Sequence, residues 1–223
     1  MSFPRPKCRT LRSLRRDLSG VAVVEFALAT PLVLLLGLTG AELANLVLTH
    51  LRVSQAALAL ADNASRIGIT SDLAVKQVSE AEVNEILTAT DMQGGSLGLM
   101  RHGRVILSSL QVNSDGGQWI AWQRCQGLKR AASSYGAEGD GRIGTSLTGM
   151  GPPGRRIRAV PDSAVMFVEV SYDYQPIIAP RSLTPQTIHY TAAYTVRDRR
   201  DLTQLYSPSP RATKRDCSVY SAA

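Results

Sequence analysis

The chain holds 223 residues, 44% of them hydrophobic but only 5% aromatic, with a formal net charge of +7. That length suffices for one membrane segment and one modest globular domain, whose core must rest on aliphatic side chains. Arg5, Lys7, Arg9, Arg12, Arg15 and Arg16 against Asp17 place +5 in residues 1–20 and leave +2 on the remainder. A basic block beside an apolar one reads as a topology signal that keeps the N-terminus cytoplasmic, so nucleic acid is not an expected partner.

Residues 1–20 contain Pro4 and Pro6 and no periodic apolar face, and read as a basic cytoplasmic leader. Residues 21–41 read as a transmembrane helix. Phe26 to Ala41 spans about 24 Å at the helical rise, short for a bilayer. Val21 to Val24 and the apolar residues after Glu42 make up the difference. Pro31 removes one backbone donor, which lipid-embedded helices tolerate where neighbours compensate. Glu25 stands at the edge of this apolar run, where a carboxylate costs roughly 2.5–3.5 kcal/mol and calls for a partner. An ordinary secretory signal cleaved near Thr39-Gly40-Ala41 is the competing reading of the same segment.

From Glu42 to Arg66 the sequence has neither glycine nor proline. Leu43, Leu46, Val47, Ala57, Leu58 and Ala61 share one face of a helical wheel, with Asn45, Arg52 and Asn63 opposite. Residues 42–68 therefore read as an amphipathic continuation of the helix, ended by Gly68. Ser79-Glu80-Ala81-Glu82 is a capping-box pattern that predicts a second helix over 79–90, closed by Gly94-Gly95. The period then falls to two. Leu97 to Arg101 and Arg104 to Val112 predict a hairpin turning at His102-Gly103, and Gln118 to Cys125 predict a further strand. Residues 126–164, rich in glycine and proline, read as a long flexible surface loop. Val165 to Tyr174 and Thr187 to Arg197 complete the strands, the last with Ile188, Tyr190, Ala192, Tyr194 and Val196 on one face. The expected fold class is α+β: a long N-terminal helix packed on a small antiparallel sheet. It comprises a domain over 69–198 and a polar tail over 199–223.

Chemistry-bearing motifs are sparse. Gly139-Asp140-Gly141-Arg142-Ile143-Gly144 has the spacing of a dinucleotide fingerprint but lacks a strand before it and a helix after it, and reads as loop. His50, His102 and His189 have no second ligand at metal spacing. No nucleophile elbow is present, so no catalytic residue, cofactor or metal is assigned. Cys8 falls in the leader. Cys125 and Cys217 lie beyond the apolar segment and either stay as two thiols or, if exported to an oxidising compartment, form a disulfide, which is favoured. Such a bridge would close about ninety residues and stabilise by about 4–5 kcal/mol in the chain-entropy treatment.

Ser19-Gly20-Val21-Ala22-Val23-Val24-Glu25-Phe26, followed by Ala-Leu-Ala-Thr-Pro-Leu-Val-Leu-Leu-Leu, resembles the start of a type IV pilin-like precursor. More narrowly it resembles the TadE-like minor pseudopilins of the tight-adherence pilus system. Trp122-Gln123-Arg124-Cys125 and Val168-Glu169-Val170-Ser171-Tyr172-Asp173-Tyr174 add weaker likeness. The resemblance implies a non-enzymatic pilus-assembly subunit. A prepilin peptidase would cut between Gly20 and Val21, making Glu25 the fifth residue of the mature chain. Glu25 with Phe26 would then set helix register and assembly. Phe26 departs from the tyrosine that many pilin-type sequences carry there. The implied partners are the prepilin peptidase, other pilin-like subunits, the inner-membrane pilus platform and the lipid bilayer. The implied location is the bacterial inner membrane, single-pass, with the C-terminal domain periplasmic. The alternative is an uncleaved, signal-anchored periplasmic binding domain that joins no filament.

Overall fold

The computed structural model describes residues 20–70, 75–178, 186–207 and 211–222. The leader up to residue 19, with Cys8, lies outside them, as do Pro208 and Pro210. The described chain runs α1 (Val21–Arg66), β1 (Ile69–Thr70), β2 (Lys76–Gln77), α2 (Glu80–Gly94), a 3-10 turn (Gly95–Leu97), α3 (Leu99–His102), β3 (Gly103–Val112), β4 (Gln118–Gln126), β5 (Ala164–Asp173) and β6 (Thr187–Thr195). Two compact units divide it, Met1–Ala44 and Asn45–Ala223. The class is α+β, with a long apolar N-terminal helix and a small antiparallel sheet.

In the second unit the sheet has the order β4-β3-β5-β6, antiparallel throughout. Its even-numbered positions on β5 and β6 face the helices. Met166, Val168, Val170, Tyr172, Ile188 and Ala192 join Val53, Ala57, Leu60 and Ala64 of α1 and Val83 and Leu87 of α2 in one core. The seam of α1 is rich in alanine. The buried set is Thr49, Val53, Ala56, Ala57, Leu60, Ala61, Ala64 and Ser65. The face the wheel predicts is met in part: Ala57 and Ala61 are buried and Leu46 packs half-buried against the core. Val47 and Leu58 are exposed, as is Leu43 in the first unit. Asn45, placed opposite the packed face, is half-buried and donates to the Tyr174 hydroxyl at 2.8 Å.

Both helix ends are satisfied by side chains. Arg200 donates to the carbonyls of Ala64, Ser65 and Ile67 at 3.1, 3.2 and 2.6 Å, placing a cation where the helix dipole is negative. Ser79 caps α2 with a complete capping box, as the sequence pattern predicts, and the other carboxylate oxygen of Glu82 accepts from Gly68 N–H at 3.1 Å. One glutamate thus joins the end of α1 to the start of α2.

The predicted strand Leu97 to Arg101 is instead the 3-10 turn and α3. Leu97 and Leu99 do alternate, but Met100 is also fully buried, which a one-faced strand cannot achieve. Gly98 turns left-handed at φ 57°, and the Asp91 carboxylate accepts from Met100 N–H at 3.0 Å, an acceptor from the preceding helix that local pattern does not reveal.

Residues 127–163 hold no helix or strand, yet they are more than a surface cover. Met150 and Ala159 pack with Leu110, Ile120, Val165 and Phe167 in a second core on the outer face of the sheet. Tyr135 meets Phe167 edge-on, with ring centroids 5.4 Å apart. Gln118 ties the loop by exchanging two hydrogen bonds with the Ala159 backbone, at 3.1 and 2.7 Å. Gly117 permits the closest approach: a Cβ there would stand 2.1 Å from the Gly144 carbonyl oxygen. The second unit is therefore three layers deep: helices, sheet and loop.

Candidate functional site on the N-terminal helix

The sequence between Val21 and Ala41 has one ionisable side chain, Glu25. The helix begins at Val21, directly after Gly20, whose carbonyl accepts the first helical bond from Val24 N–H at 3.1 Å. Among the described residues nothing lies within 4 Å of where a Cβ on Gly20 would stand. Glu25 is exposed, as are the apolar side chains around it: Phe26 is 73% and Leu28 75% accessible. Exposure continues around the whole circumference through Leu32 to Leu36 and Leu38.

Within the first unit the helix is long and apolar enough to cross a bilayer. Residues 21–44 rise about 36 Å, more than the roughly 30 Å hydrocarbon core. Pro31 leaves the Ala27 carbonyl without its helical donor. Thr30 and Thr39 turn their hydroxyls back onto the Phe26 and Leu35 carbonyls, both at 2.6 Å, so these polar groups need no water. Gly37 and Gly40 leave smooth positions on the surface, each with nothing within 4 Å of an added Cβ. Chemically residues 21–41 are a rod that must be covered by lipid or by other helices, with a single carboxylate one turn from its start.

The second unit carries its polar chemistry elsewhere. Arg124, 4% exposed, donates from Nε to Glu80 at 2.8 Å, pairs with the other Glu80 oxygen, and donates to Glu138 at 2.8 Å. Burial opposes its charge, but the two carboxylates outweigh that and hold the guanidinium above its ordinary value. Arg104, 1% exposed, donates to the carbonyls of Gly127, Cys217 and Val219 at 2.9, 2.7 and 2.8 Å and lies 4.2 Å from the Tyr220 ring centre. Cys125 and Cys217 form a disulfide whose Cα atoms are 4.8 Å apart. Cys125 N–H donates to the Arg215 carbonyl at 3.0 Å, and Gly127 N–H to that of Ser221 at 2.7 Å. The tail therefore runs beside the outer edge of β4.

These arginines are structural centres that sequence inspection does not single out. No local spacing gives their partners, which are far along the chain: Arg124 meets Glu80 across 44 residues, and Arg200 meets Ala64 across 136. An open recess of about 360 Å³ lies beside the disulfide, lined by Ile106, Gln123, Ala132, Asp140 and Tyr220 among others. Asp140 is already engaged there by Ala137 N–H at 2.8 Å. Among the described residues no three metal-ligating side chains cluster. Gly139 to Gly144 lies in irregular turns, with neither the strand nor the helix that a dinucleotide site needs. His50 is half-buried, 3.3 Å from the Tyr190 hydroxyl, and His189 is 3.0 Å from the Ser171 hydroxyl.

Neither a curated protein nor a solved structure matches the chain significantly. A family model does match in part: residues 20–62, from Gly20 through most of α1, are similar to the one described as TadE-like protein.

Proposed function

We propose that the chain is a minor pilin-like subunit that acts in assembly of a tight-adherence pilus and is matured by a prepilin peptidase between Gly20 and Val21. The leader is cytoplasmic, residues 21–41 cross the inner membrane, and the domain that follows is periplasmic. One observation carries the reading. Inside the TadE-like segment the helix starts at the residue after a glycine, is apolar all round over residues 21–41, and bears the one carboxylate of that stretch at Glu25.

Cleavage would release an α-amine on Val21. When such helices bundle, Glu25 leaves water, and an uncompensated buried carboxylate is strongly disfavoured. The Val21 amine of a neighbouring subunit supplies the opposite charge. Because only one axial offset brings the two groups together, the pair also sets register, as a buried polar residue does in coiled coils. The prepilin peptidase, the other pilin-like subunits and the inner-membrane platform are the partners this role requires.

The test is the N-terminal sequence of the protein recovered from membranes of cells with and without the peptidase. The expected N-terminus is Val21 with the peptidase and Met1 without it. Met1 in both strains would leave a signal-anchored protein, and a start near Ala41 would make the segment a secretory signal. Glu25→Ala separates assembly from anchoring. It should abolish or sharply reduce piliation while the membrane level stays unchanged, whereas an anchor alone would tolerate it or insert better.

A further inference from the structure

The two edges of the sheet are treated differently. On β4, the outward N–H groups of Ile120, Gln123 and Cys125 donate to the Asp140 carbonyl, the Glu138 carboxylate and the Arg215 carbonyl, and the Ile120 carbonyl accepts from Gly139. That edge is sealed by the chain's own loop and tail.

Among the described residues the β6 edge is open. Tyr174 N–H donates to Gln186 and Val196 N–H to Ala164, both at 2.9 Å, so the even-numbered residues between them bond to β5. Thr187, His189, Thr191, Ala193 and Thr195 then turn N–H and C=O outward. Among the described residues none of these backbone groups has a partner. Nine consecutive pairs to β5 run without a bulge. The strand, Thr-Ile-His-Tyr-Thr-Ala-Ala-Tyr-Thr, has no proline, lysine or acidic residue. Those are the devices by which sheet proteins keep an edge from pairing.

We propose that β6 is a pairing edge and that its occupant is β6 of a second copy, antiparallel, about a two-fold axis at Thr191. The strand is complementary to itself in this register. Thr191 meets Thr191, His189 meets Ala193, and Thr187 meets Thr195, so every outward-facing residue meets another. Five paired residues give about ten interchain hydrogen bonds. A strand without Asp, Glu, Lys or Arg brings no like charges together across the axis. On the helix-facing side, Tyr190 of one copy lies beside Ala192 of the other and Tyr194 beside Ile188, extending the half-covered aromatic row. The proposal is independent of the pilus role.

Full-length protein in mild detergent tests it, in a Cys8→Ser background. Thr191→Cys should link to twice the chain mass on oxidation. Thr195→Cys alone should not, and a mixture of Thr187→Cys with Thr195→Cys should. By light scattering, the parent chain is expected as a dimer and Thr191→Lys as a monomer with an unchanged melting temperature. Mixing Thr191→Lys with Thr191→Glu should restore the dimer. A parent chain that is monomeric overturns the proposal, and leaves the edge to a strand from another protein. A Lys variant that stays dimeric, or equal linking through position 195 alone, overturns it as well.

Discussion

Glu138 and Glu169 both accept main-chain N–H bonds beside the sheet, yet their acidities move in opposite directions. Partial burial works against the charge of Glu138, but the Gln123 N–H, Arg124 and Lys214 outweigh it and hold the carboxyl below the usual range. For Glu169 burial dominates over the Ser133 hydroxyl and the Ser134 N–H, and pushes the carboxyl up. The linkage has opposite sign in the two cases. As pH falls below the ordinary glutamate value of about 4.3, the unfolded chain binds protons before Glu138 does, so that contribution to stability is lost. As pH rises from about 4.3 through the raised value of Glu169, the folded chain holds a proton the unfolded chain has shed, so stability falls there too. Thermal melts of the detergent-solubilised protein between about pH 3 and 7 should show both slopes. Glu138→Gln should flatten the acid side only, and Glu169→Gln the rising side only. Identical profiles for the two variants would refute these assignments. Neither role was readable from sequence. Glu25 was conspicuous because its oddity is local, a carboxylate in an apolar run, whereas Glu138 and Glu169 acquire their properties from residues that only the fold brings near.

At the scale of elements, period and capping chemistry were legible and close packing was not. The alternation on β6 is real because one face meets the helices. The box at Ser79 works because its atoms are three residues apart. By contrast, the stripe predicted for α1 is met at Leu46, Ala57 and Ala61 but not at Leu43, Val47 and Leu58, which stay exposed. The tail shows a further limit. Residues 211–222 have no strand pattern, yet two bonds from Arg104 of β3 to the Cys217 and Val219 carbonyls and the Cys125–Cys217 bridge to β4 hold them to the sheet. The bridge closes a separation of 92 residues, for which the chain-entropy treatment gives about 4–5 kcal/mol as an upper figure. Cys125→Ser and Cys217→Ser should each lower the melting temperature, and the double variant should lie near either single, since all three lose one bond. The residues after Arg211 should become cleavable by trypsin in the variants while the sheet stays protected. Additive effects of the two single variants, or melting unaffected by both, would mean that the bridge does not form.

At the scale of the whole molecule the division after Ala44 separates two kinds of stability. No residue before Thr49 is fully buried among those described, whereas the second unit contains both apolar cores. Neither core includes any of residues 21–44; their cost in water is the exposed apolar circumference, which lipid removes. The helix crosses the division without a break, so backbone continuity does not by itself make one folding unit of it. A fragment starting at Asn45 should therefore fold, keep the disulfide and remain in solution, with a melting transition close to that of the full chain in detergent. The full chain should resist alkaline extraction from membranes, and the fragment should be released by it. Loss of cooperative melting in the fragment would show that the apolar half supports the domain, and extraction of the full chain would show that it does not anchor it. Val47, Leu48 and Leu51 remain exposed at 51%, 51% and 53% just past the division, so replacing them with glutamine should improve the fragment's solubility without lowering its melting temperature.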